Sequence, residues 1–148
     1  MPDVLSHLTI SERGTELITS YVPLHLTSST VSDRGYKHYI IGWSHASGVY
    51  KGMTITTDAA CSLLASDIAL IEADINAIYA PLTQSMFDAL CSLCFDFGTV
   101  RVLDGRTRIG AALRARKWID AWKGFARLAT NNNFKWRNAE MTLFIDDG

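Results

Sequence analysis

The 148-residue sequence has only three cysteines and three prolines, a formal net charge of just −1, and no long apolar run. Each shortage excludes something. Three cysteines, Cys61, Cys91 and Cys94, cannot all pair within one chain, so a disulfide framework does not hold this fold together. Cys91 and Cys94 form a Cys-x-x-Cys within Leu90-Cys91-Ser92-Leu93-Cys94-Phe95, a spacing also used in redox and metal chemistry. No second ligand pair accompanies it, and free cysteine is ordinarily a small buried hydrophobe, so both read as core. No cluster of His, Cys and Asp has metal-ligand spacing, so no metal or other cofactor is implied. No apolar stretch approaches the roughly 18 residues needed to span a bilayer. The opening residues Met1 to His7 lack the basic flank and apolar stretch of a secretory signal. The expectation is a soluble protein made in a cytoplasm.

What is present argues for an ordinary folded domain. Forty-eight per cent hydrophobic residues with little net charge is the opposite of a disordered composition. The length suits a single domain, since domains cluster at about 100–150 residues. The small net charge conceals two opposed regions. Residues 1–100 carry four Lys or Arg against ten acids, a balance of −6. Residues 101–137 carry ten against Asp104 and Asp120, a balance of +8. A basic segment of that size is either the solvated face of helices or a surface that meets an anionic polymer.

Hydrophobic spacing sketches the elements. Val4, Leu5, Leu8, Leu17 and Ile18 suggest a first helix from Val4 to about Ser20, with Gly14 weakening its middle. From Tyr21 to Tyr50 the β-branched, aromatic and hydroxyl residues around the turn-like Ser32-Asp33-Arg34-Gly35 read as strands. Ala60, Leu63, Leu64, Ile68, Ile71, Ile75 and Ile78 then recur at helical spacing, with Thr56 or Thr57 placed as N-cap and Pro81 closing the run. Thr83 is placed to cap a helix that is apolar on nearly every side, the mark of a buried central helix, and that ends at Gly98. After Asp104-Gly105 a third helix carries Ile109, Ala112, Leu113, Trp118 or Ile119, Trp122 and Phe125 inward as far as the Asn131-Asn132-Asn133 break. A short helix follows over about Trp136 to Phe144. The sum is a single α+β domain over 1–148, with a strand-rich lobe at about 21–56 and a helical lobe from 57 onward that includes the first helix.

Three strings, in order, carry a resemblance. They are Ile40-Ile41-Gly42-Trp43-Ser44-His45 followed by Gly52-Met53-Thr54-Ile55-Thr56, then Leu82-Thr83-Gln84-Ser85-Met86-Phe87-Asp88-Ala89-Leu90 followed by Phe95-Asp96-Phe97-Gly98, and last Trp136-Arg137-Asn138-Ala139-Glu140. Together they resemble the phage-type lysozymes from about Ile10 to Phe144. The resemblance implies a lysozyme-like α+β fold, with a small β-hairpin lobe, a larger helical lobe and a saccharide cleft between them. It implies a muramidase that hydrolyses the β-1,4 bond between N-acetylmuramic acid and N-acetylglucosamine in peptidoglycan glycan strands. Such a cleft needs one protonated carboxyl to donate to the leaving oxygen and a second carboxylate opposite.

Carried onto this chain, the resemblance makes Glu12 the acid and Asp33, the only acid between Glu16 and Asp58, the hairpin carboxylate. An extra Arg13 stands between Glu12 and Gly14. Aligning on the glycine instead puts Arg13 at the catalytic position and ends the enzyme reading, and Glu16 is a third candidate. The family's hairpin Thr corresponds to Ile40, which cannot hydrogen-bond a water; Thr27, Thr30 and His38 are alternatives. Asp96, Trp136 and Arg137 match substrate-binding positions, although packing and a salt bridge from Arg137 to Glu140 explain the last two equally well. His45 and Asp67 are expected as a structural ion pair. The resemblance also implies release from a host cytoplasm toward the wall, or carriage in a virion. A catalytically inactive relative that binds wall polymer or another protein is the alternative. No nucleic-acid partner is expected, and no oligomeric state follows.

Overall fold

A computed structural model describes residues 7–33 and 35–146, apart from the side chain of Asp33. Val4, Leu5 and Arg34, used above, lie outside the described residues. The elements run α1 (Glu12–Tyr21), β1 (His25–Asp33), β2 (Tyr36–Gly42), α2 (Thr57–Asn76), α3 (Gln84–Phe97), α4 (Thr99–Leu103), α5 (Arg108–Arg114), α6 (Trp118–Arg127) and α7 (Phe134–Phe144). The α+β class is as expected. The chain divides into two compact units: Thr19–Ala69, and the residues before and after that stretch. The divisions fall inside α1 and α2 rather than at element ends. Among the described residues, no helix is long and apolar enough to cross a membrane.

In the unit Thr19–Ala69, β1 and β2 form an antiparallel hairpin with Asp33 opposite Tyr36 and Ser29 opposite Ile40. The register slips between His25 and Ser29, where β1 holds extra residues. The slipped backbone is not left unpaired: Ser28 N–H donates to Met53 O (2.8 Å), and Ile55 N–H donates to Leu26 O (2.9 Å). Gly52 N–H adds a bond to Ser28 Oγ (3.1 Å). The Gly52-to-Thr56 string thus serves as a third partner for the hairpin. Thr56 Oγ1 then accepts from Ala59 N–H (3.1 Å) and opens α2, satisfying one orphan donor of its first turn.

The other unit is built around α3. Thr83 caps it by accepting from Met86 N–H, and Gly98, at φ 85°, ends it. Ser85 and Phe87 through Cys94 are all buried, so the helix apolar on every side is the centre of its unit. Burial holds the Cys91 and Cys94 thiols far above their ordinary pKa, so neither supplies a thiolate. Two expectations need correction. A separate short helix, α4, follows Gly98 directly. The single helix read after Asp104-Gly105 is two, because Arg116 adopts a left-handed φ of 57°. Arg116 N–H donates to Leu113 O (3.1 Å) and Lys117 N–H to Ala112 O (2.8 Å), a Schellman end built on a non-glycine residue. Of the pair Trp118 and Ile119, Trp118 packs on the core and Ile119 is exposed.

Gly110 makes the joint between α4 and α5 possible. A Cβ there would stand 2.0 Å from Asp104 O and 2.5 Å from Leu103 O, both backbone atoms that cannot swing aside. We predict that G110A lowers stability by about 3 kcal/mol through overpacking, measured by urea denaturation. An unchanged midpoint would show that this helix junction is loose.

Candidate active site

Residues 7–11, directly ahead of α1, are not helical, contrary to expectation, because side chains from α2 and α3 take the backbone groups a helix would have used. Leu8 N–H donates to Asn76 Oδ1 (3.1 Å), and Asn76 Nδ2 returns a bond to Leu8 O (2.9 Å). Ile10 N–H donates to Glu72 Oε2 (2.6 Å), and Gln84 Nε2 donates to Thr9 O (2.8 Å). Asp88 is the centre of this clasp. It is 1% exposed, and it accepts from Ser11 N–H (2.9 Å), Ser11 Oγ–H and Gln84 Nε2 (2.8 Å). A buried carboxylate with no basic partner must be satisfied by neutral donors, and three converge on it here. Ser11 O accepts Thr15 N–H (3.1 Å), the first helical bond, so α1 starts where the clasp ends.

The clasp decides how Glu12, Arg13 and Gly14 are presented. Gly14 is buried, and a Cβ on it would meet Ile10 Cγ1 at 2.5 Å and Asp88 Cβ and Cγ at 2.9 Å. Glycine is therefore the residue this contact demands. Glu12 opens α1 as an exposed first-turn acid, a position the helix dipole favours for a negative charge. Arg13 is also exposed and is paired with Asp146 at 2.5 Å. With both partners about half exposed, that pair adds little to stability. Glu16 is exposed one turn further along.

The C-terminal string forms a second cluster in the same unit. Arg137 is wholly buried, sandwiched over Phe97 (5.1 Å) and Trp136 (4.7 Å). Its Nη1 donates to Asp96 Oδ2 (2.7 Å) and its Nη2 to Glu140 Oε2 (2.8 Å). Its Nε stands 2.6 Å from Glu140 Oε1, an ionic contact without the alignment of a hydrogen bond. Trp136 Nε1 donates to Ser92 Oγ (2.7 Å), which donates in turn to Glu140 Oε2 (2.5 Å). The guanidinium is thus enclosed by protein, and direct substrate contact from Arg137 is closed off in this conformation. Trp136 is 9% exposed, whereas the Asp96 side chain, 29% exposed, reaches solvent.

In the unit Thr19–Ala69, Asp33 ends β1, and its side chain lies outside the described residues. Ile40 is buried, a core residue at the position where the resemblance leads one to expect a hydroxyl. Thr27, Thr30 and His38 are exposed on the hairpin, and Thr27 bridges to Thr54. His45 Nδ1 lies 3.0 and 2.9 Å from the two Asp67 carboxylate oxygens, and Nε2 lies 3.0 Å from Ser47 O. Both ring nitrogens thus face acceptor oxygens. Both residues belong to this one unit, so the pair braces the hairpin's end against α2 within it.

The clasp residues Glu72, Asn76, Gln84 and Asp88 were not singled out from the sequence. A weak signal existed: Glu72 and Asn76 stand four apart on α2, and Gln84 and Asp88 four apart on α3, so each pair shares one helix face. Among the described residues, no group of three His, Cys, Asp or Glu side chains is placed to hold a metal ion.

Residues 26–139 match the phage lysozyme family. An endolysin of Acyrthosiphon pisum secondary endosymbiont phage 1 is 33% identical over 144 residues, covering 91% of this chain and 97% of the relative. The muramidase domain of SpmX from Asticaccaulis excentricus superposes with a TM-score of 0.81 at 27% identity, covering 93% of this chain and 98% of that one. The endolysin from Escherichia coli O157:H7 phage FAHEc1 shares the fold, with a TM-score of 0.81 at 23% identity over 97% and 98% of the two chains. The fold is that of the lysozyme-type glycoside hydrolases. This chain belongs to the phage lysozyme family.

The Arg137 cluster makes a pH prediction. One buried cation faces two acids, and burial pushes the Glu140 carboxyl up to about 7 although Arg137 and Ser92 pull it down. A folded-state value above the unfolded one means that folding favours the protonated acid. That contribution is complete below pH about 4.5 and is lost as pH rises through about 7. E140Q should therefore remove a fall in stability between pH 5 and 8 on the order of 2 kcal/mol, as followed by urea denaturation at each pH. An identical pH profile in the variant would contradict this.

Proposed function

We propose that this chain is a peptidoglycan hydrolase of lysozyme type that cleaves the β-1,4 bond between N-acetylmuramic acid and N-acetylglucosamine, with Glu12 as general acid and Asp33 as the opposing carboxylate. The observation that carries this reading is the match to an endolysin along 97% of that relative's length. In its support, Glu12 is an accessible acid directly after Ser11, whose backbone N–H is held by Asp88. Asp33 would hold or activate water on the opposite face of the sugar. Asp96 would contact the glycan from the helical unit, with Arg137, itself stacked on Trp136, fixing its carboxylate from behind. His45 and Asp67 serve as structural braces. No part of this scheme uses a cofactor. The biological setting we infer is phage lysis or entry, with the protein held in the host cytoplasm before it reaches the wall, or carried in the virion.

One observation favours a second reading. Gly14 is pinned by its contact with Asp88, and the residue immediately before it is Arg13, not an acid. On that registration the chain binds glycan strands, or another protein, without cutting.

Purified protein added to isolated peptidoglycan, with release of reducing ends measured and their sugar identified, tests both. We predict reducing N-acetylmuramic acid ends from the wild type and a loss of about 100-fold or more for E12Q, the scale of a missing general acid. No release from the wild type, with retained pelleting on the wall, overturns the hydrolase in favour of the binder. A gain of release in R13E would place the acid beside Gly14 and remove Glu12 from the role.

A further inference from the structure

Apart from Arg137 behind Asp96, the basic stretch 101–137 is not used by the proposed glycan chemistry, and part of it surrounds a cavity. Arg101 on α4, Arg108 on α5 and Arg127 on α6 line a depression of about 100 Å³ whose floor is Val102, Ile109 and Leu128. No carboxylate lines it. Among the described residues none of the three arginines is in a salt bridge, whereas Arg13, Arg106 and Arg137 are. Arg101 is held over the Phe97 ring at 5.1 Å, and Arg108 Nε donates to Asp120 O at 3.5 Å, so two of the three are oriented without being neutralised. The approach of α5 and α6 depends on Gly124, since a Cβ there would meet Ile109 Cγ1 at 2.4 Å. That approach brings Arg108 and Arg127 to the same mouth. Asp120 lines a wider groove beside it, together with Arg108 and Lys117, and does not reach this one.

Three like charges around one opening repel each other, a cost that an anion seated between them removes. Guanidinium groups match the tetrahedral oxygens of a phosphoryl group through paired N–H donors. The Thr107 side chain at the rim adds a hydroxyl, which already donates to backbone carbonyls and keeps its lone pairs for the cap. Recognition therefore falls to the arginines. The apolar floor suits the carbon skeleton attached to a phosphate ester better than it suits a fully hydrated ion. We propose that this pocket binds a phosphoryl group carried on an organic skeleton, and so gives the chain a contact with phosphate-bearing envelope material separate from any hold on glycan.

The test follows the arginine Nε–H and backbone amide resonances of the full chain by NMR as ligand is added. The probes are inorganic phosphate, glycerol 1-phosphate, sodium acetate, and phosphatidylglycerol vesicles against phosphatidylcholine vesicles. We expect saturable shifts at Arg101, Arg108 and Arg127 with glycerol 1-phosphate, weaker ones with inorganic phosphate and none with acetate. The double variant R108Q/R127Q, altered at exposed positions, should bind about tenfold or more weakly while keeping its fold, since each lost charged hydrogen bond is of that scale. Binding of phosphatidylglycerol vesicles alone, lost in the double variant, would assign the phosphate to a lipid headgroup. Equal shifts at Arg114 and Arg116, or no saturation with any phosphate probe, would overturn the site.

Discussion

Asp88 is the group on which the candidate site depends. It is a buried carboxylate in the second turn of α3, and its hydrogen bonds reach Ser11 and Gln84 rather than a basic side chain. Burying an acid without partners costs several kcal/mol, so these neutral donors are conditions for the fold, not embellishments. They tie the extended residues 8–11 to the most enclosed helix of their unit. Gly14 then packs directly against the same side chain. The backbone that carries residues 12 and 13 is thereby held on both sides, at Ser11 and at Gly14.

This explains which parts were legible beforehand. The spacing of Ile68, Ile71 and Ile75, the caps at Thr56 and Thr83, and the all-round apolar character of residues 86–97 are local signals, and each produced the element it suggested. The start of α1 was misread because its determinants lie more than 60 residues away, in Glu72, Asn76 and Asp88. Periodicity sees Leu8 and Leu17 and cannot see that Leu8's backbone is already bonded to Asn76. The break between α5 and α6 was misread for a different reason. Arg116 takes a left-handed conformation usually given to glycine, and a row of helix formers from Ala111 to Lys117 conceals it.

The site was less legible than the fold. His45 was matched through the resemblance and Asp67 through its place on the following helix, and the two stand within hydrogen-bond distance. For Arg137 the sequence offered either a substrate contact or a salt bridge to Glu140; its charge is engaged inside, on Asp96 and Glu140. The sequence holds no sign that the guanidinium would be closed over by Phe97 and Trp136, because that depends on how α3 and α7 meet. The opposed charges of the two regions also acquire distinct meanings. Four of the ten acids of residues 1–100, Asp67, Glu72, Asp88 and Asp96, are engaged by hydrogen bonds within the protein. The basic stretch, by contrast, leaves Arg101, Arg108 and Arg127 turned outward around one depression.

Asp88 clasps the segment ahead of α1 and so fixes the backbone from which Glu12 and Arg13 project. Hydrogen exchange at the Ser11 amide measures this directly, since that N–H has the Asp88 carboxylate as its acceptor. The account predicts Ser11 protection of about 100-fold or more over an open chain, abolished in D88A while the amides of Leu90 to Cys94 stay protected. A Ser11 amide that exchanges at the open-chain rate in the wild type would contradict it.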